Sequence, residues 1–131
     1  MRAAAAAAAL VALGGCAGAM PAATACPAGE TAAEVGELYF GRNVGGALGV
    51  SETDFDRYVA EELAPRFPQG LTLVDTDGRW GAVREPGKLA VIVLPAETHA
   101  RARLHAAADA YAERFDQEAV LRVVRTACVR F

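Results

Sequence analysis

Two stretches of helical periodicity alternate with four strand-like runs across residues 34–131. That order restricts the fold more than any other feature of the chain. Glu37-Leu38-Tyr39-Phe40-Gly41-Arg42 is short and rich in aromatics, as strands are. Asn43 to Val50 contains Gly45, Gly46 and Gly49, which predicts a loop. Ser51 then caps a helix with acidic side chains at Glu52, Asp54 and Asp56. Phe55, Tyr58, Val59, Glu62 and Leu63 follow at helical spacing, an apolar stripe with one polar interruption, and Pro65, Pro68 and Gly70 end it. Leu71 to Asp75 is a second strand, with a turn signal at Asp77-Gly78. Arg79 to Glu85 stays extended, and Pro86-Gly87 marks another break. Lys88 to Leu94 is apolar on both faces, which suits a central strand. Thr98 caps the second helix, where Leu104, Ala108, Tyr111 and Phe115 form a stripe. Ala119 to Arg125 is the fourth strand.

The resulting order is β-α-β-β-α-β, an α+β domain. Two amphipathic helices need one sheet face to bury against, and right-handed crossovers favour the ferredoxin-like split β-α-β layout. The expectation is a four-stranded antiparallel sheet with both helices on one face. The other face is then open, although the third and fourth strands are apolar on both sides. A second copy of the chain, forming a homodimer, is the expected cover. A length of 131 residues allows one modest core. The 53 % apolar content overstates that core, because 31 residues are alanine. A net charge of −3 argues against a nucleic-acid-binding domain.

The N-terminus carries an address. Arg2 precedes the apolar run Ala3 to Leu13, which as a helix spans about 16 Å, half of what a membrane needs. That predicts a signal peptide over residues 1–15. Leu13-Gly14-Gly15-Cys16 resembles the bacterial lipobox. The resemblance implies diacylglyceryl transfer to Cys16, cleavage before it, and lipid anchoring of an exported protein to a bacterial cell membrane. Cleavage after Ala17-Gly18-Ala19 or Ala23-Thr24-Ala25, giving an ordinary secreted protein, is the rival reading. Residues 16–33 are Ala, Pro, Gly and Thr without period, a flexible tether ahead of the domain at 34–131. With Cys16 taken by lipid, Cys26 and Cys128 remain, an even pair in an oxidising compartment, and are expected to form a disulfide.

Leu38-Tyr39-Phe40-Gly41-Arg42, Val50-Ser51-Glu52, Pro65-Arg66-Phe67-Pro68-x-Gly70-Leu71-Thr72, Arg84-Glu85 and Phe115-x-Gln117-Glu118-x-Val120-Leu121 together resemble domain of unknown function 3574. That family comprises small exported bacterial proteins, many with lipobox leaders. The likeness implies location and fold and carries no reaction. This chain is shorter than the family pattern between Trp80 and Arg84.

Known chemical motifs are scarce. His99 and His105 lie about 240° apart around a helix, so they predict solvated side chains and no metal site. There is no Gly-x-Ser-x-Gly elbow, and Ser51, the one serine, is accounted for as a cap. Gly45-Gly46 lacks a phosphate-binding lysine, so no cofactor is expected. One constellation stands out. Tyr39 and Arg42 leave the first strand, Trp80, Arg84 and Glu85 occupy the hairpin, and Gln117 and Glu118 open the fourth strand. In a split sheet they converge on the open face or one end of it. They form either a pocket for a small aromatic or anionic ligand, or a structural ion pair with core aromatics. The leading reading is a lipid-anchored binding or assembly module. The alternative is a small dimeric α+β barrel enzyme, with Tyr39, Glu85 and Glu118 as its titratable candidates.

Cys16→Ser should release the protein from the membrane fraction or stall its processing. Fractionation and mature mass, followed together, check this; if both stay unchanged, Cys16 is not the anchor.

Overall fold

A computed structural model describes residues 25–131. The expected signal peptide, Cys16 and the tether up to residue 24 lie outside the described residues. Strand β1 (Thr31–Gly41) leads into a two-residue hairpin, β2 (Asn43–Val44) and β3 (Ala47–Leu48), in place of the expected glycine-rich loop. Helix α1 (Glu52–Tyr58) continues through a wider π-helical stretch (Val59–Leu63) into α2 (Ala64–Arg66). Strands β4 (Thr72–Trp80) and β5 (Val83–Leu94), helix α3 (Ala100–Phe115) and strand β6 (Leu121–Val129) complete the chain. The four long strands form one sheet in the order β4-β5-β1-β6, every neighbouring pair antiparallel.

Strand periodicity separates the two faces. Gly36, Leu38 and Phe40 of β1, with Ala90, Ile92 and Leu94 of β5, lie against the helices and are almost wholly buried. Helix α3 presses Leu104 onto β1 at Gly36, where a Cβ would lie 2.7 Å from Leu104 Cδ2. The alternate positions, Glu37, Tyr39, Leu89, Val91 and Val93, are only half-buried and face the other way. No helix covers that side among the described residues.

Several boundaries depart from the sequence pattern, each for a physical reason. The folded body starts at Thr31, inside the expected tether, because Thr31 and Ala32 pair with Val129 and Cys128. At its other end β1 stops at Gly41, so Arg42 falls just outside the strand expected to contain it. Neither Asp77-Gly78 nor Pro86-Gly87 breaks the chain. The hairpin turns instead at Gly81-Ala82, closed by Trp80 opposite Val83, with Gly81 at a φ of 58°. Pro86 is tolerated in β5 because it faces the point where β1 has ended, and its carbonyl accepts from the Arg42 N–H at 3.1 Å. Ser51 caps α1 as expected, its Oγ accepting from the Asp54 N–H at 3.1 Å. Thr98 does not cap α3. His99 occupies that position without a side-chain hydrogen bond.

Cys26 and Cys128 are joined, their Cα atoms 5.5 Å apart across a separation of 102 residues. Closing so long a loop restricts the unfolded chain strongly, by about 4.7 kcal/mol in the chain-entropy view. Cys128→Ala should therefore lower unfolding free energy by about 2–5 kcal/mol. A urea titration checks this, and a variant matching wild type would show that the bridge contributes nothing.

Candidate functional site

The strands β1 and β5 meet at paired glycines. Gly41 lies opposite Gly87, and Gly87 lies opposite Thr76 of β4. Beside these glycines the open face carries a hollow of about 530 Å³, within the range of small-ligand sites, with the Glu85 carboxylate lying over Gly41. Tyr39, Trp80, Val83 and Leu121 stand around it, and Glu85 and Gln117 supply the polar end. The glycines are required by space. A Cβ at Gly87 would lie 2.7 Å from the Phe40 carbonyl, and one at Gly41 would collide with the Glu85 carboxylate. Trp80 is 87 % exposed, an unusual place for the one tryptophan of the chain.

The polar end is built from backbone. Glu85 Oε1 accepts from the Asn43 N–H at 3.0 Å, while Gln117 Nε2 donates to the Asn43 carbonyl at 2.8 Å. Both side chains thus grip the same residue, the first of the β2-β3 hairpin. Gln117 follows the left-handed Asp116 that ends α3, so the helix terminus sets its position. On the side toward Tyr39, the hydroxyl donates to Glu37 Oε2 at 2.9 Å. Arg125 donates to Glu37 Oε1 from Nε at 3.0 Å and from Nη2 at 2.8 Å. The Arg125 hydrogen bond, then that of Tyr39, holds the Glu37 carboxyl below its usual range. The same bond to Glu37 pushes the Tyr39 hydroxyl up.

Of the seven residues singled out in the sequence, Tyr39, Trp80, Glu85 and Gln117 line the hollow. The other three do not. Arg42 is buried on the helix side, where Nε donates to the Val50 carbonyl at 2.9 Å and Nη1 pairs with Glu52. Arg84 is exposed and pairs with Asp77 at 2.8 Å, not with Glu85. Glu118 is exposed in the connection before β6. His99 and His105 are both exposed, and no group of three metal-ligating side chains occurs among the described residues.

The sequence reading missed the network around Lys88. This side chain occupies the core face of β5 in step with Ala90 and Ile92, and it is 9 % exposed. Its ammonium reaches Glu52 at 2.6 Å, pairs with Asp75, and lies 5.7 Å from the Phe55 ring centre. A lone lysine at an inward position of an apolar strand was the available signal, since such a charge needs partners. Glu37 with Arg125 was missed because their pairing is diagonal across strands far apart in sequence.

The class defined by this geometry is a small α+β protein whose four-stranded antiparallel sheet is covered by helices on one side. The chain belongs to the family described as Protein of unknown function (DUF3574), whose model matches residues 36–131. No curated protein matches it. Among solved structures it is similar to a phage SAM lyase in complex with S-methyl-5'-thioadenosine, at 15 % identity and a TM-score of 0.56. That match covers 82 % of this chain and 95 % of the other. The apo phage SAM lyase matches at 17 % identity and a TM-score of 0.58, over 84 % and 97 %. At such identities the likeness concerns the fold alone.

Lys88 generates a prediction about acid. Its hydrogen bonds are the first cause holding Glu52 and Asp75 below their ordinary values of 4.5 and 3.8. A carboxyl lowered in the folded state contributes stability above its unfolded value and loses it as pH falls through the lowered one. Wild type should thus lose stability below about pH 4.5. Lys88→Met should show a smaller loss between pH 7 and pH 3 in paired urea titrations. An equal loss would remove Lys88 as the cause.

Proposed function

We propose that the chain is an exported, lipid-anchored envelope protein whose domain binds a small aromatic ligand in the hollow between Tyr39 and Trp80. The anchor is supported by Leu13-Gly14-Gly15-Cys16. The ferredoxin-like split β-α-β arrangement is supported by the strand order β4-β5-β1-β6, in which β5 separates β1 from β4.

One observation carries the ligand reading. A glycine-floored hollow sits between an exposed tryptophan and a tyrosine, with a carboxylate and an amide at one end. A flat ring can lie against Tyr39 or Trp80 and stack on either aromatic, beside the Glu85 carboxylate that covers Gly41. Glu85 and Gln117 then face its donors and acceptors. The similar solved structure in complex with S-methyl-5'-thioadenosine favours a nucleoside-like occupant. The open sheet face, with Val74, Leu121 and Val83 exposed, suits a homodimer that closes the hollow from above.

The second reading is an enzyme, and the fold shared with a phage SAM lyase is what favours it. Tyr39 and Glu85 are then the titratable candidates that line the hollow.

S-methyl-5'-thioadenosine is the first probe. Native mass spectrometry and calorimetry on the purified protein should show one molecule per chain. Trp80→Ala should weaken binding about tenfold, the scale of an aromatic contact of about 1.4 kcal/mol. No binding, or equal binding by the variant, overturns the hollow as the site. Release of S-methyl-5'-thioadenosine from SAM, lost in Glu85→Gln, would turn the binder into an enzyme.

A further inference from the structure

A second and larger cavity lies at the other end of the sheet. It is a groove of about 1090 Å³ between the start of β1, the approach to β4, and the ends of β5 and β6. Its wall is largely apolar, with Ala33, Leu71, Val91, Val93 and Val129, interrupted by Thr31, Thr72 and Thr126. Phe131 is fully exposed, a terminal aromatic with no packing partner in the core.

Among the described residues, side-chain charges on the rim are matched with one exception. Glu34 accepts from Arg101 Nε at 2.8 Å, and Glu97 pairs with Arg103. Arg130 instead donates to two carbonyl oxygens, of Ala28 at 2.9 Å and of Gly29 at 3.1 Å. No carboxylate of the described residues pairs with it. Hydrogen bonds to neutral carbonyls leave its positive charge uncompensated. The groove therefore offers a largely apolar wall with a cation beside it that no described side-chain carboxylate pairs with.

Its place in the chain is equally specific. Cys26–Cys128 ties the point where the chain enters the fold to the strand that forms one side of the groove. Cys16 precedes Cys26 by ten residues, a reach of about 34 Å when extended. An anchor on Cys16 keeps this end of the domain within that distance of the bilayer surface.

We propose that the groove takes the acyl chain of an anionic membrane lipid, with Arg130 against its head group. Hydrocarbon matches the apolar wall, and the anionic head matches the charge left over at the rim. The inference rests on the lipid-anchored reading for its supply of lipid, but the groove itself is tested without the anchor.

The test uses the purified full chain carrying Cys16→Ser, with palmitate as the probe and native mass spectrometry as the readout. One palmitate per chain is expected. Thr72→Glu and Arg130→Glu, both at exposed positions, should each weaken binding at least tenfold. Trp80→Ala, at the other end of the sheet, should leave it unchanged. No adduct, or an adduct indifferent to both groove variants, overturns the proposal. A dimer that excludes palmitate also overturns it and gives the groove to a second copy. Failure of the anchor appears separately, as unchanged membrane fractionation of Cys16→Ser in cells.

Discussion

The fold depends on an aromatic cluster between the sheet and the helices. Phe40 of β1 packs against Phe55, Tyr58 and Tyr111, with ring centres 5.6, 5.5 and 4.6 Å away. Phe115 closes on Tyr111 at 4.8 Å and on Tyr58 at 6.3 Å. Contacts between rings at such spacings add about 0.5–1.5 kcal/mol each beyond area burial. Both tyrosines keep their hydroxyls satisfied in the interior. Tyr58 donates to the Ala107 carbonyl at 2.8 Å and Tyr111 to the Gly41 carbonyl at 2.7 Å. Burial pushes both hydroxyls well above the usual tyrosine range, so they act as fixed donors. The bond from Tyr111 also fixes β1 where it ends, at the glycine that forms the floor of the hollow. Core and candidate site share that one carbonyl.

Aromatic side chains divide by face. Phe40, Phe55, Tyr58, Phe67, Tyr111 and Phe115 all serve the helix side. Tyr39, Trp80 and Phe131 remain, and none belongs to the core. Two of these stand at the hollow and the third at the groove. Charge divides in a similar way. Arg42 and Lys88 are buried on the helix side and both converge on Glu52, locking the start of α1 to β5. On the open face Glu37 and Arg125 are the charged pair, set among valines.

Element order was legible in the sequence because helical periodicity and its start and stop signals agreed, as with Ser51 before α1 and the stripe from Leu104 to Phe115. Boundaries were less legible where pairing overrode local signals. Asp77-Gly78 and Pro86-Gly87 are turn dipeptides in isolation, yet β4 and β5 run through both because ladder bonds continue on either side. Thr31 to Ala33 have the composition of a linker and become strand only because β6 offers an edge. Four of the seven candidate site residues could be read because they flank the sheet end that the topology brings together. Arg42, Arg84 and Glu118 could not be sorted from them. Their orientation depends on strand parity at β1 and β5 and on the length of the connection after α3, which residue type does not reveal.

The two faces of the sheet answer to different constraints. Leu38, Phe40, Ala90 and Ile92 answer to the helices, and substitutions there create cavities or strain. Residues of alternate parity on the same strands, Tyr39, Glu37 and Leu89, face the open side, where Glu37 accepts from Arg125 and Tyr39. A strand can therefore hold its inward set fixed and vary its outward set at little cost to stability. The outward set of this chain presents a glycine-lined hollow, an exposed tryptophan and a carboxylate that accepts from backbone.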